Sequence, residues 1–424
     1  MIRKYFQGML YPLLRVLIQK FGTPFHIYDE AGIRMACQRL KKAFDGIPFR
    51  NYYAVKANPN PAILEIIQSE GFGFDCSSVP EVMLARHLGA SSRDVMFTSN
   101  NTSYDEFRFA VQKGGKECGC ILNLDDITLV SKVPGKFPHT ICFRYNPGDR
   151  RTGNEIIGKP LEAKYGVTHD QIVEAYRLAI KCGAKRFGLH TMICSNELNG
   201  DYMVETVKML LDVVRMISKE LGIKFDFINM GGGIGIPYKP EQKEVDIEKM
   251  AEEIKVLMFA FNDEKGYMPE LNMECGRFIT GPHGVLITKV INHKHIYREY
   301  VGVDACMSSL MRPALYGAYH HIEVLCARGR PIKFRDQVVV DVTGSLCENN
   351  DKLAVQRLLP KTETGDIMVI QDTGAHGIAM CFNYNGRLRP AEFLLHVDGS
   401  VSMISRAETP QDLFMRYKKE LVHS

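Results

Sequence analysis

Residues 49–58 read Phe49-Arg50-Asn51-Tyr52-Tyr53-Ala54-Val55-Lys56-Ala57-Asn58. This run has the composition of a buried strand, ends in a lysine and is followed by Pro59 and Pro61, which favour a turn. Because an unpaired lysine is costly to bury, Lys56 is a candidate for chemistry, such as covalent bonding to an aldehyde. The alternative is a lysine whose stem follows the strand end and whose amine reaches water. Lys56 by itself does not distinguish the two.

Outward from this run, short apolar segments alternate with longer segments that carry apolar residues on one helical face. Strands are predicted at residues 24–28, 51–56, 72–76, 94–98, 120–122, 140–145, 187–192, 225–230 and 270–274, and helices at 31–44, 61–70, 79–88, 104–113, 170–183, 202–220 and 246–260. About eight such units over roughly 250 residues are typical of a closed (β/α)8 barrel. An open doubly wound sheet is the alternative, but Gly231-Gly232-Gly233-Ile234-Gly235 lacks the G-x-G-x-x-G spacing of a dinucleotide site.

The pattern changes near residue 284, where short strand-like segments follow one another with little helix between them. They lie at residues 285–291, 297–303, 322–326, 337–342, 366–370, 392–396 and 401–404. We therefore predict an α/β fold with a lead-in segment over residues 1–24, a barrel over 25–283 and an all-β domain over 284–424. The lead-in segment is expected to form an amphipathic helix, since Pro12 and Arg15 interrupt the apolar run that a signal peptide needs.

The composition is that of an ordinary globular enzyme. Of the 424 residues, 45% are apolar and 24% charged, and the net charge is only +4, so no nucleic-acid partner is expected. No apolar run approaches the roughly 20 residues of a membrane span, and the 12 cysteines are spread widely, as in a reducing cytoplasm. The His293/His295 and His320/His321 pairs lack accompanying carboxylates, so no metal site is predicted.

Several chemically active side chains lie at or near the C-terminal ends of the predicted barrel strands, where barrel enzymes place their active sites. They are Lys56, Asp75, Arg144, His190, Gly231–Gly233, and Glu274 with Arg277. Each has an ordinary explanation, since a glycine run also forms tight turns and Glu274 with Arg277 also reads as a surface ion pair. Taken together, a lysine for an aldehyde, backbone N–H donors for a phosphate and an acid for a pyridine nitrogen are the groups that pyridoxal 5'-phosphate requires.

Six motifs in the same order identify a family resemblance over residues 22 to about 414. They are Tyr53-Ala54-Val55-Lys56-Ala57-Asn58, Asn229-Met230-Gly231-Gly232-Gly233-Ile234-Gly235, Glu274-Cys275-Gly276-Arg277, Arg312-Pro313-Ala314-Leu315-Tyr316-Gly317-Ala318-Tyr319-His320, Cys347-Glu348-Asn349-Asn350-Asp351 and Asn383-Tyr384-Asn385. The chain resembles the fold type III pyridoxal-phosphate decarboxylases, which share the alanine racemase and ornithine decarboxylase architecture, and is most similar to the bacterial diaminopimelate decarboxylases. The Arg312 motif is the most diagnostic of that branch.

The resemblance implies roles for these residues. Cofactor-binding residues are expected to be Lys56, Asp75, Ser195, Gly231, Gly232, Gly233, Glu274, Gly276, Arg277 and Tyr384, with Lys56 bonded covalently to the cofactor and Glu274 at its pyridine nitrogen. Cys347 of the neighbouring subunit is expected to return a proton to Cα. The expected substrate-binding residues are Arg277, Arg312, Tyr316, Glu348 and Tyr384. Without the surrounding motifs, Cys347 and Tyr384 also read as a core thiol and a core phenol.

Two departures from the family pattern concern the site. His190-Thr191-Met192-Ile193-Cys194-Ser195 has Met192 where the family carries a histidine that stacks on the cofactor ring, although a methionine also packs against an aromatic face. Cys275 replaces a proline, and Asn349-Asn350 replaces a serine followed by a small residue. These differences bear on the substrate pocket.

The resemblance implies a pyridoxal-phosphate-dependent amino acid carboxy-lyase that converts meso-2,6-diaminopimelate to L-lysine and carbon dioxide in lysine biosynthesis. It further implies a cytoplasmic homodimer with active sites at the subunit interface. One alternative is a related decarboxylase for carboxynorspermidine, ornithine, lysine or arginine. Another is a catalytically inactive relative that binds a partner protein, although such a protein is expected to have lost the lysine, the glycines or the cysteine.

Overall fold

A computed structural model describes residues 4–112, 119–153, 158–332, 334–415 and 417. The chain forms two compact units. The sheet unit comprises Met1–Gly32, Pro237–Gln242 and Thr280–Ser424, and the barrel unit comprises Ile33–Ile236 and Lys243–Ile279. Residues 1–3 of the predicted lead-in segment, residue 113 of a predicted helix and the end of the predicted β domain from residue 418 lie outside the described residues.

The chain begins with helix α1 (Lys4–Phe21) and strand β1 (Phe25–Asp29), which both belong to the sheet unit. Helix α1 is amphipathic, as predicted. Its apolar stripe contributes Phe6, Leu10 and Leu14, which are almost fully buried in a core cluster together with Phe25 and Ile27 of β1. The helix is therefore held by burial of one apolar face.

Eight parallel strands close into the barrel in chain order. They are β2 (Phe49–Ala54), β3 (Gly73–Cys76), β4 (Val95–Ser99), β5 (Ile121–Leu124), β6 (Thr140–Arg144), β7 (Arg186–His190), β8 (Phe227–Asn229) and β9 (Glu270–Met273). Their residues are mostly buried, because one face points into the barrel and the other is covered by helices. The predicted (β/α)8 barrel is confirmed, and the closed ring, in which β9 pairs with β2, excludes the open sheet.

Among the described residues, six helices lie between barrel strands, and capping residues precede most of them. They are α3 (Pro61–Ser69), α4 (Val79–His87), α5 (Tyr104–Val111), α6 (Ile172–Lys181), α7 (Gly200–Leu221) and α8 (Ile247–Lys265), while α2 (Glu30–Ala43) precedes β2 and the short α9 (Arg277–Thr280) follows β9. The Asn60 side chain accepts from the Ala62 amide at the start of α3, directly after the Lys56 segment. Ser103 and Glu106 form a capping box on α5, and Gly222, with a φ of 68°, ends α7.

The sheet unit is built around one extended sheet with the strand order β14-β13-β11-β10-β1-β16-β17, and β15 pairs with β10 and β12. The strands are β10 (Gly284–His295), β11 (Glu299–Val303), β12 (Ile322–Leu325), β13 (Gln337–Thr343), β14 (Lys352–Pro360), β15 (Ile367–Ile370), β16 (Ala391–Leu395) and β17 (Val401–Ser405), with short helices α10 (Arg312–Tyr316) and α11 (Pro410–Phe414). Strand β14 was not predicted. Gln356, with a φ of 46°, lies where the register between β13 and β14 shifts, so buried and exposed residues of β14 do not alternate.

Strand β1 differs from its predicted place at the start of the barrel. It pairs antiparallel with β10 and parallel with β16, so that Phe25 faces Ile287 on one side and Ala391 on the other. The first barrel strand is therefore β2, which begins at Phe49, and the barrel unit begins at Ile33 rather than at the predicted residue 25. Within the described residues, no helix is long and apolar enough to cross a membrane.

Candidate active site

Lys56 lies just beyond the end of β2 rather than within it. The strand ends at Ala54, and residues Val55–Ala57 form a single 3₁₀ turn in which Val55 and Ala57 are buried and the Lys56 side chain is exposed. Gly276 packs closely against this turn, since a Cβ at Gly276 would lie 2.7 Å from the Cβ of Ala57. The turn therefore fixes the backbone of Lys56 while its amine remains accessible to a reactant.

Two buried carboxylates belong to the barrel wall on either side of β2. Asp75 lies on β3 and Glu274 directly after β9, and both are less than 10% exposed. Burial, reinforced by the negative charge of Glu274, raises the pKa of Asp75 well above its usual range. Burial would also raise the pKa of Glu274, but His190, Lys56 and Arg144 lower it below its usual value. Glu274 is thus the more readily ionised member of the pair, and Asp75 is the member that keeps its proton to higher pH.

Asn229 and His190 hold Glu274 in place. The Asn229 Nδ2 donates to Glu274 Oε1 at 2.9 Å, and the His190 Nε2 lies 3.2 Å from the same oxygen. The Asn229 Oδ1 accepts from the Gly231 amide at 2.9 Å, so one side chain joins the acid to the glycine loop. Asn229 belongs to one of the six motifs, but the motif by itself predicts no role for it. The available signal was its position as the last residue of a barrel strand, two residues before the first glycine of the loop.

The glycine loop, Gly231–Gly233, packs between the segment that contains Cys194 and the segment that begins at Glu274. A Cβ at Gly232 would lie 2.6 Å from the Glu274 carbonyl oxygen, and one at Gly233 would lie 2.5 Å from the Cys194 Sγ. Gly231 and Gly233 have φ values of 73° and 104°, which side chains rarely tolerate. Glycine is required here because the backbone approaches its neighbours so closely.

Met192, the residue at the stacking-histidine position, contacts this loop. Its thioether accepts a hydrogen bond from the Gly232 amide, with a nitrogen–sulfur distance of 3.2 Å. Arg144 Nη2 donates to the Met192 carbonyl at 3.4 Å, forms an ion pair with Asp125, and stacks on Tyr165 with its Cζ 3.6 Å from the ring centroid. Since a thioether is a weak acceptor, the Gly232 amide can exchange it for a phosphate oxygen at little cost.

Ser195 and Arg277 meet on the same side of the barrel. Arg277 Nη2 donates to the Ser195 Oγ at 3.4 Å, although the two residues follow different strands. Cys275 is buried, and its amide donates to the Asn51 side chain at 2.8 Å, which ties this segment to β2. The barrel unit therefore brings together the candidates that the sequence placed after separate strands: Lys56, Asp75, Ser195, Gly231–Gly233, Glu274, Gly276 and Arg277.

The remaining candidates belong to the sheet unit. Cys347 and Tyr384 are exposed, and their segments are adjacent, since the Cys347 amide donates to the Asn385 Oδ1 at 2.7 Å. Tyr316, at the end of α10, is exposed as well. Arg312, at the start of α10, is buried and accompanied by His320. His320 is the last residue of the Arg312 motif, but the motif by itself predicts no role for it.

The described residues of the barrel unit fit pyridoxal phosphate. Lys56 offers an accessible amine, Glu274 an ionised acid, and Ser195 and Arg277 donors for a phosphate. The buried Asp75 Oδ1 has no hydrogen-bond partner among the described residues, which is costly unless a bound group completes the site. The individual roles inferred from the resemblance remain predictions.

Comparisons with known proteins identify the family of this chain. Residues 30–281 match the family model described as pyridoxal-dependent decarboxylase, pyridoxal binding domain. Protein TabA of Pseudomonas amygdali pv. tabaci is 45% identical over 97% of this chain and 95% of its own, and the diaminopimelate decarboxylase of Methanothermobacter thermautotrophicus is 36% identical over 94% and 92%.

Among solved structures, the diaminopimelate decarboxylase of M. jannaschii in co-complex with L-lysine has a TM-score of 0.85 at 29% identity, covering 96% of this chain and 94% of that one. The resemblance inferred from the six motifs is thus confirmed at the level of the family, and so is the expected cofactor. The chain belongs to the pyridoxal-dependent decarboxylases of fold type III, and pyridoxal 5'-phosphate is its cofactor.

Proposed function

We propose that this decarboxylase converts meso-2,6-diaminopimelate to L-lysine and carbon dioxide. The observation that carries the choice of substrate is the buried guanidinium of Arg312 in the motif Arg312–His320. Because a desolvated guanidinium binds a carboxylate strongly, this residue favours an amino acid with a second, distal carboxylate. Diaminopimelate decarboxylases among the relatives, one of them solved with L-lysine, support the same choice.

The bound cofactor would supply an electron-accepting ring that weakens the bond between Cα and the departing carboxylate. Lys56, on its fixed turn, would hold the cofactor aldehyde through its Nζ. Glu274, kept ionised by its cationic neighbours, would hold a proton at the pyridine nitrogen. Ser195, Arg277 and the glycine loop would bind the phosphate. Cys347 of a neighbouring subunit would deliver a proton to Cα through its Sγ.

A second candidate is decarboxylation of carboxynorspermidine or of another basic amino acid. The observations that favour it are Met192 and Cys275, which differ from the usual family residues, and the similarity to TabA, whose name states no substrate. Met192 contacts the glycine loop and Cys275 directly follows Glu274, so both substitutions alter the surroundings of the site while Lys56, Glu274 and Arg277 are all kept.

The proposal is tested by an absorbance spectrum of the purified protein, followed by assays of carbon dioxide and lysine formed from meso-diaminopimelate. We expect an absorption band near the visible edge that is lost in Lys56→Ala and kept in Lys219→Ala, which replaces an exposed lysine of α7. Lysine formation is expected to accompany carbon dioxide release one to one. A band with release only from carboxynorspermidine or a basic amino acid would replace the proposed substrate, and a band that survives Lys56→Ala would refute the role of Lys56.

A further inference from the structure

The edge of the Arg312 guanidinium contacts the ring of His320, and the hydrogen bonds of this ring define its protonation state. Its Nη1 lies 2.9 Å from the Nε2 of His320, and the His320 Nδ1 lies 2.8 Å from the Gln371 carbonyl oxygen. A carbonyl only accepts and a guanidinium only donates. The Nδ1 of His320 therefore carries the hydrogen, and its Nε2 accepts from Arg312. Both partners select the same neutral form of the ring.

An aromatic ring covers the face of the same guanidinium. The Cζ of Arg312 lies 4.4 Å from the centroid of the Tyr238 ring, and the Tyr238 and His320 rings meet edge to face with centroids 5.1 Å apart. All three side chains are less than 10% exposed. We refer to Tyr238, Arg312 and His320 as the Arg312 clamp. A planar group contacted on its face and at its edge has little freedom to rotate.

The backbone of His320 is held by an arginine of β14. Arg357, on β14, donates from its Nη1 to the His320 carbonyl at 2.8 Å and stacks on Tyr319, with its Cζ 3.7 Å from the ring centroid. Asp372 lies near the clamp as well. Burial raises the pKa of Asp372 to about 6, although Arg312 favours the ionised form. His320 thus orients the guanidinium without adding a negative charge beside it.

We propose that His320 is a positioning residue that sets the orientation of Arg312 and thereby the preference of the enzyme for ligands with a distal carboxylate. The inference rests on the proposed function, in which Arg312 binds that carboxylate. A neutral acceptor suits this task, since it satisfies one N–H of a desolvated guanidinium and leaves its positive charge for the ligand. An acidic side chain in its place would compete with the ligand for the same charge.

The test compares two competitive inhibitors that differ only in the distal carboxylate. L-Lysine retains the distal carboxylate, which the reaction does not remove. The molecule 1,5-diaminopentane is the same chain without any carboxylate. We expect His320→Asn, which keeps a donor for the Gln371 carbonyl but loses the acceptor for Arg312, to weaken L-lysine inhibition about 10- to 100-fold. Inhibition by 1,5-diaminopentane is expected to change less than about threefold. KM for meso-diaminopimelate should rise by a similar factor with kcat nearly unchanged.

Two variants serve as controls. His320→Gln places an amide oxygen close to the Nε2 position, and we expect it to recover most of the lost L-lysine inhibition. His321→Asn alters the adjacent, half-buried histidine and is expected to leave both inhibition constants unchanged. Equal weakening of both inhibitors by His320→Asn, or an unchanged preference for L-lysine, would refute the positioning role while leaving the proposed substrate intact. A wild-type enzyme that neither turns over diaminopimelate nor prefers L-lysine would overturn both proposals.

A measurement on the wild-type holoenzyme covers the case in which His320→Asn does not fold. Histidine labelled with ¹⁵N in the ring gives nitrogen shifts that separate the two neutral forms from the cation, and the His320 signals are assigned by their absence in His320→Gln. We expect the Nδ1–H form at pH 7.5. A protonated Nε2, in either the other neutral form or the cation, would exclude acceptance from Arg312 and refute the proposal.

Discussion

At the scale of single residues, the barrel site contains two buried acids whose pKa values are shifted in opposite directions. Both acids are buried, but His190, Lys56 and Arg144 outweigh the effect of burial at Glu274, whereas Lys56 and Thr98 do not outweigh it at Asp75. Two carboxylates whose pKa values are pushed apart are typical of catalytic sites. The buried Asp75 carboxyl is expected to lower the free energy of unfolding of the cofactor-free protein at pH values at which it ionises.

We expect Asp75→Asn to stabilise the cofactor-free protein at alkaline pH. Because the folded-state pKa of Asp75 is raised, its contribution to stability is complete below the unfolded-state pKa and is lost as pH rises through the folded-state pKa. Because asparagine does not ionise, the variant does not lose stability as the pH rises through this range. Each pH unit between the two pKa values corresponds to about 1.4 kcal/mol, so the free energy of unfolding at pH 8 should rise by about 1 kcal/mol or more, and much less at pH 4.

Urea unfolding of the cofactor-free protein at pH 4 and pH 8 measures this difference. Asp263→Asn, an exposed substitution on α8, is the matched control and should stay within about 0.5 kcal/mol at both values. A destabilisation by Asp75→Asn that is the same at both pH values would contradict the raised pKa.

At the scale of elements, the backbone of the glycine loop after β8 packs directly against the backbone of the segment after β9. Gly232 has no unusual φ, so an alanine there is disfavoured only by the Glu274 carbonyl 2.6 Å from its Cβ. We expect Gly232→Ala to push the loop away from the segment after β9 and to weaken pyridoxal phosphate binding about 10- to 100-fold, equivalent to about one or two lost hydrogen bonds to a charged group. Cofactor titration by absorbance measures the dissociation constant.

Gly8→Ala on α1 is the matched substitution without a close contact. A Cβ at Gly8 would meet no atom within 4 Å, and its φ is not in the left-handed region. Alanine should therefore stabilise α1 by about 0.5–1 kcal/mol and leave cofactor binding unchanged. If both glycine substitutions left the dissociation constant unchanged, the close approach at Gly232 would not matter for the cofactor.

At the scale of the whole molecule, the family resemblance predicts that Cys347 acts in the site of a neighbouring subunit. We expect Lys56→Ala and Cys347→Ala homodimers to be nearly inactive. Random exchange of subunits between equal amounts of the two should restore roughly a quarter of wild-type activity, because half of the dimers are then mixed and each mixed dimer has one complete site. Activity after subunit exchange and the mass measured by light scattering test this prediction.

The same mixture distinguishes the alternative arrangement. If Lys56 and Cys347 of one subunit shared a site, every site of a mixed dimer would carry one defect, and no activity would return. Mixing Lys56→Ala with itself after the same exchange procedure controls for recovery caused by handling.

The sequence by itself determined the barrel, the six motifs and the strand ends at which the barrel candidates lie. These features are local, since the alternation of apolar and polar residues follows the period of each element and the candidate side chains lie at or just after the strand ends. Lys56 and Glu274 were therefore found without coordinates, and the family and cofactor expected from their motifs are confirmed.

Only the tertiary structure decided which segments meet. Strand β1 is buried along its whole length, just like a barrel strand, so its pattern could not reveal that its partners are β10 and β16. The contacts of Asn229 with Glu274 and of His320 with Gln371 join residues 45 and 51 positions apart. The physical reason is that periodicity records whether a residue is buried, whereas the partner it is buried against depends on how distant segments pack.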